Sequence, residues 1–165
     1  MRVVAGACLL MVMALSVALQ ADAELIETPS VDGVTLGSTL ATVTAKLGQA
    51  KKSRSLGTDS DLGMGELKEL QFDGIRVFVN RPKSADDFRV YELRITGSRR
   101  RLSNGLSVKM SVEAVKASLG TPEGVEDYKQ GGKTLVYLFK DRDGRLLVRV
   151  RDGHVVCLEI IEENS

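Results

Sequence analysis

The chain has 165 residues, with 23 Lys and Arg against 22 Asp and Glu, a formal net charge of +1, and only 4% aromatic residues. That balance supplies no bulk field to recruit nucleic acid or a membrane surface, and the length fits one ordinary domain or two fused half-size units. A single histidine and two cysteines leave little material for a metal centre or a disulfide framework.

Met1-Arg2 opens the chain with a positive charge, Val3 to Leu19 is a run of apolar and small residues, and Ala21-Asp22-Ala23 has the small-x-small form of a signal-peptidase site. Residues 1–23 therefore read as a secretory signal peptide cut after Ala23. The rival is a retained anchor, since a run of about 17 residues is the lower limit for spanning a bilayer. Cys8 comes too early to be the modified cysteine of a lipoprotein. The mature chain is expected to be periplasmic or secreted, without stable membrane insertion. Cys157 then stands alone, which excludes an intrachain disulfide, and it reads as a small packed strand residue.

From residue 33 onward the sequence repeats at an offset of about 72 residues. Gly33-Val34-Thr35-Leu36 returns as Gly105-Leu106-Ser107-Val108, and Leu40, Val43, Leu47 and Gly48 return as Val112, Val115, Leu119 and Gly120. Thr39 and Ser111 are N-cap residues for the helices these positions predict, and Gly48 and Gly120 suit the left-handed conformation that ends a helix. Strands are predicted at Leu70–Phe72, Ile75–Val79 and Val90–Ile95, with Asp73-Gly74 as a hairpin turn. Gly57 to Gly65 reads as a flexible acidic loop, and Arg99-Arg100-Arg101 as part of a solvated linker. The second copy predicts strands at Leu135–Phe139, Leu146–Val150 and Val155–Ile160, turning at Asp143-Gly144 and Asp152-Gly153. Lys51–Leu56 and Val125–Tyr128 can add a short first strand to each copy. The predicted fold is α+β, as two tandem repeats (24–98 and 105–165, joined by a linker over 99–104), each a short helix packed on a three- to four-stranded antiparallel sheet.

Alternation along the strands assigns faces. Ile75, Val77, Val79, Tyr91, Leu93 and Ile95, with Leu146, Val148, Val150, Val156, Leu158 and Ile160, should lie under the helices. Arg76, Phe78, Glu92 and Arg94, with Leu147, Arg149, Arg151, Val155, Cys157 and Glu159, are left on the opposite face. Gly105-Leu106-Ser107-Val108, Ser111, Val115 and Leu119-Gly120-Thr121-Pro122, followed by a three-stranded meander, resemble the repeat of the β-lactamase inhibitory proteins. The pattern is also similar to the SmpA/OmlA-type lipoproteins of the outer-membrane β-barrel assembly machinery. Gln49-Ala50 departs from it in the first copy, and the chain lacks both the lipoproteins' lipobox and the inhibitors' cysteine pairs. The resemblance implies helices over one sheet face, with the other free to grip a protein.

Catalytic chemistry is poorly represented. His154 sits in a turn beside Gly153 with no nucleophile near it in sequence, and it cannot complete a zinc site with Cys157 alone. Asp141-Arg142-Asp143-Gly144 echoes the start of a calcium loop but lacks the later glycine and glutamate, so a hairpin turn accounts for it. No cofactor or metal is expected. The candidate partner-binding residues are Arg76, Phe78, Arg94, Arg149 and Arg151, with Tyr137 added although its strand phase is open, because arginines and aromatics dominate binding energy at interfaces. The expected function is that of an exported, non-enzymatic, monomeric binding module, inhibitor-like or an envelope-assembly accessory. Its partner would be a protein of the cell envelope or outside the cell, not nucleic acid. The alternative is a carrier holding a small or lipid ligand between helices and sheet.

Overall fold

A computed structural model of the chain describes residues 23–59 and 63–163. All of the signal peptide read over 1–23 except Ala23 lies outside the described residues. No helix among the described residues is long and apolar enough to cross a membrane. The elements run α1 (Leu40–Leu47), β1 (Lys52–Asp59), β2 (Gly65–Phe72), β3 (Ile75–Arg81), β4 (Arg89–Ile95), α2 (Val112–Leu119), β5 (Gly124–Tyr128), β6 (Gly132–Leu138), β7 (Gly144–Arg151) and β8 (His154–Glu162), with a 3-10 turn at Lys129–Gly131.

Both helices start where the hydroxyls place them. The Thr42 amide donates to Thr39 Oγ1 and the Ala114 amide to Ser111 Oγ, each at 3.2 Å, which satisfies a donor the first turn would otherwise leave open. They stop at Gly48 and Gly120, with φ of 80° and 77° and ψ of -158° and -154°. This is the extended positive-φ region open essentially to glycine alone, rather than the left-handed helical cap expected. Val43 and Val115 are fully buried at the centre of each inward stripe.

The strands form one antiparallel sheet in the order β1-β2-β3-β4-β8-β7-β6-β5. This corrects the expectation of two tandem helix-on-sheet units. β4 and β8, which would be edges of separate sheets, pair through Glu92 opposite Ile161, Leu93 opposite Ile160, Arg94 opposite Glu159 and Ile95 opposite Leu158. Two physical terms favour the merger. An unpaired edge leaves a row of backbone donors and acceptors open, and a unit of roughly 70 residues buries too small a share of its surface to be secure alone. A single apolar core accordingly runs under both helices, joining Val43, Val77 and Leu93 to Leu158, Leu146 and Val115.

Alternation holds along β7, where buried and half-buried residues alternate over the whole strand. It fails at two matching places. The register shifts between Phe78 and Val79 where β3 meets β4, leaving Tyr91 as the extra residue, and between Arg149 and Val150 where β7 meets β8, leaving Val156. Each shift is a β-bulge, and a one-residue slip moves the side chains beyond it to the other face. Val155 is therefore in the core at 1% exposure, not on the open face. Tyr91, expected under the helix, instead packs beside Phe78 with ring centroids 6.3 Å apart.

The connections are also tied down. Gly57 to Asp59 continue β1 and Gly65 begins β2, so the acidic loop narrows to a segment whose residues 60–62 lie outside the described ones. Arg100 ion-pairs with Asp32 and donates from Nε to the Asp73 carbonyl at 3.1 Å, while Leu102 is 2% exposed; Arg99 and Arg101 point to solvent. Near the start of the described chain, Ile26 makes a parallel bridge to Phe139. Asp141 takes both the amide and the hydroxyl of Thr28, at 2.9 and 2.7 Å. The Thr28 hydroxyl bond is the main cause holding the Asp141 carboxyl below its usual range, so this turn is a fastening point for the N-terminal segment.

Candidate binding face on the open side of the sheet

The helices cover one side of the sheet. On the other, the strand registers lay side chains in rows. One row crosses Lys52, Gln71, Arg76, Arg94, Glu159 and Leu147. A neighbouring row holds Arg54, Glu69, Phe78, Glu92 and Ile161, and a third holds Cys157, Arg149 and Thr134.

Glu159 is the hub. It is 3% exposed and lies 2.8 Å from Arg94 Nε and 2.6 Å from Arg149 Nη2. Arg94 also binds Glu92 at 2.7 Å and sits 5.2 Å from the Phe78 ring centroid, while Arg149 stands 4.5 Å from that of Tyr128. Glu69 holds Arg54 at 3.0 Å and Arg76 at 3.5 Å. Buried charges tolerate such a setting only when paired and hydrogen-bonded. Burial raises the Glu92 carboxyl above its usual range, with the charge of Glu159 adding and Arg94 opposing. Burial pulls the Arg149 guanidinium down, but Glu159 and Tyr128 outweigh it and hold that group above its ordinary value.

Arg76, Arg94, Arg149 and Arg151 converge on one cleft of about 390 Å³, lined also by Tyr128, Lys129, Val156, Cys157 and Glu159. A smaller cleft of about 280 Å³ shares Arg76 and extends over Lys52, Arg54, Glu69 and Gln71. Four of the six sequence-predicted residues are thus brought together. Phe78 lies on the same face but is 8% exposed beneath Arg94 and Tyr91, so it supports an arginine rather than offering a ring to a partner. Tyr137 does not belong to the face. It is fully buried on the helix side, opposite Leu146, and its hydroxyl donates to the Gly120 carbonyl at 3.3 Å. β6 is buried on both faces along most of its length, which removes the alternation that would have set its phase. Thr96, Tyr128 and Lys129 are the lining residues the sequence did not single out, and Val156, expected under the helices, lines the cleft as well. The short strand predicted at Val125–Tyr128 is the one signal, and it covers Tyr128 alone.

Two solved structures share this fold, and a third is more distant. An extracellular protein containing an SCP domain from Bacillus anthracis superposes with a TM-score of 0.51 at 12% identity, over 78% of this chain and 44% of that one. A cysteine-rich secretory protein from Staphylococcus aureus gives 0.54 at 14% identity, over 85% and 47%. A DUF4309-family protein from Bacillus subtilis gives 0.47 at 15% identity, over 79% and 83%. The chain therefore spans less than half the length of the first two, and at these identities their likeness to it is one of fold. No family model matches the chain, and no curated protein matches it in sequence.

Elsewhere the chemistry is sparse. His154 is exposed, with Nδ1 2.8 Å from the Asp152 carbonyl oxygen of its own turn. Among the described residues no group of three or more His, Cys, Asp or Glu is placed to hold a metal ion. Cys157 lies in the floor of the cleft, and burial pushes its thiol up to about 12, with the charge of Glu159 adding. Against its ordinary value of 9.0, that makes the reactive thiolate about a thousandfold scarcer near neutral pH. Iodoacetamide should therefore label Cys157 readily in urea and barely at all in the native protein. Rapid native labelling would mean that the thiol is open to solvent.

Proposed function

We propose that the protein is an exported, non-enzymatic binding module that holds a protein partner against the open face of its sheet. An inhibitor or an envelope-assembly accessory is the concrete form of this role. The observation that carries it is the gathering of Arg76, Arg94, Arg149 and Arg151 around one uncovered cleft, because arginine beside aromatic rings is the composition that dominates binding energy. Export is supported by the leader pattern of residues 1–23, and by a shared fold with proteins described as extracellular and secretory. The carrier alternative needs room between helices and sheet. That space is filled by Leu36, Val43, Leu106 and Val115, none more than 2% exposed.

A photo-crosslinking residue placed at Gln71, on the open face, should capture a discrete protein in intact cells, and Arg76→Glu should abolish the adduct. The same probe at Lys116, exposed on α2, should capture nothing. Equal capture from both positions, or capture from Lys116 alone, would sink the assignment of the face.

A further inference from the structure

We infer that the cleft beside β7 and β8 reads carboxylates, so that the part of the partner it holds is an acidic segment; this rests on the open face being the binding face. Within the cleft, the one internal carboxylate, Glu159, is already held by Arg94 and Arg149. Arg151 and Lys129 have no side-chain ion pair among the described residues, and Arg151 Nε is buried without a hydrogen-bond partner. Arg76 reaches only 3.5 Å to Glu69, an acid it shares with Arg54. The cleft thus presents surplus donors with no internal acceptor to absorb them, and a planar guanidinium fork matches a carboxylate bidentately.

The other walls narrow the ligand further. Val156 adds apolar surface next to the cations, which suits a chain segment in which acidic and apolar side chains follow one another. A single-stranded nucleic acid needs exposed rings on which bases stack. Here Arg149 covers Tyr128 and Arg94 covers Phe78. A duplex needs a broad cationic surface, and the chain is close to neutral with a pI near 7.7.

Fluorescence anisotropy with a fluorescein-labelled peptide of Glu alternating with Gly and Leu tests the assignment on the leaderless full chain, beside the same peptide with Gln for Glu and a labelled oligothymidylate. The Glu peptide should bind, should weaken as salt is raised, and should lose about tenfold or more in affinity with Arg151→Gln or Lys129→Glu. Lys83→Glu, outside the cleft, should change nothing. Unchanged native circular dichroism in each variant separates lost binding from lost fold. Equal binding of the Gln peptide, tighter binding of the oligothymidylate, or no binding of the Glu peptide would each overturn carboxylate recognition. The crosslinks from Gln71 would stand in all three cases, whereas their loss would remove the face itself.

Discussion

Replacing Glu159 with alanine should lower stability by about 3 kcal/mol, the low end of the range for stripping the partner from a buried charge. The low end applies because the two arginine side chains keep 30% and 24% exposure and can turn partly toward water. Glu159 itself is 4% exposed as a side chain, and its loss leaves Arg94 with Glu92 alone and Arg149 with Tyr128 alone. Arg149→Met should cost less, since Arg94 still satisfies the acid. The combination Glu92→Leu, Arg94→Met, Glu159→Leu and Arg149→Met should recover most of the loss, because a buried ion network replaced whole by apolar groups is often neutral. Urea unfolding reads all three through the midpoint at constant slope. A loss below about 1 kcal/mol for Glu159→Ala would show that the hub is in effect solvated.

Ile160→Ala should cost about 3 to 4 kcal/mol, within the range for truncating a fully buried aliphatic side chain. Ile160 and its partner Leu93 are both at 0% exposure in the pairing of β4 with β8. The manner of unfolding is as informative as the size of the loss. With one sheet and one core, hydrogen exchange in β2 and in β6 should collapse together in this variant. Loss of protection in one half while the other holds would mean that the halves are separable units after all.

Most of the local structure could be read from residue types. The two hydroxyl caps, the inward valines of the helices and the alternation of β7 each follow from a short-range rule, and the structure keeps them. What could not be read has a common cause. The pairing of β4 with β8 joins residues that no turn connects, so nothing in the local pattern announces one sheet instead of two. The bulges at Tyr91 and Val156 leave no mark in a sequence of apolar and aromatic residues that suits either face, and they misassigned Tyr91, Val155 and Val156. Tyr137 was lost to the same ambiguity in a doubly buried strand. The arginines of the cleft were legible because a charged residue on a strand has only one tolerable face. Their restraint by Glu69, Glu92 and Glu159 was visible only once the registers were known.

The fastening of Thr28 to Asp141 spans 113 residues, and it fixes an order of events. The described chain begins with a segment whose partners, Phe139 and Asp141, are synthesised long after it. The first half cannot seat its own N-terminus while the rest is still emerging. Because loop closure grows costlier with separation by only about 0.6 kcal/mol per doubling, the penalty falls chiefly on folding rate rather than on stability. The N-terminal segment of the described chain therefore docks only after β6 and the turn that follows it are in place.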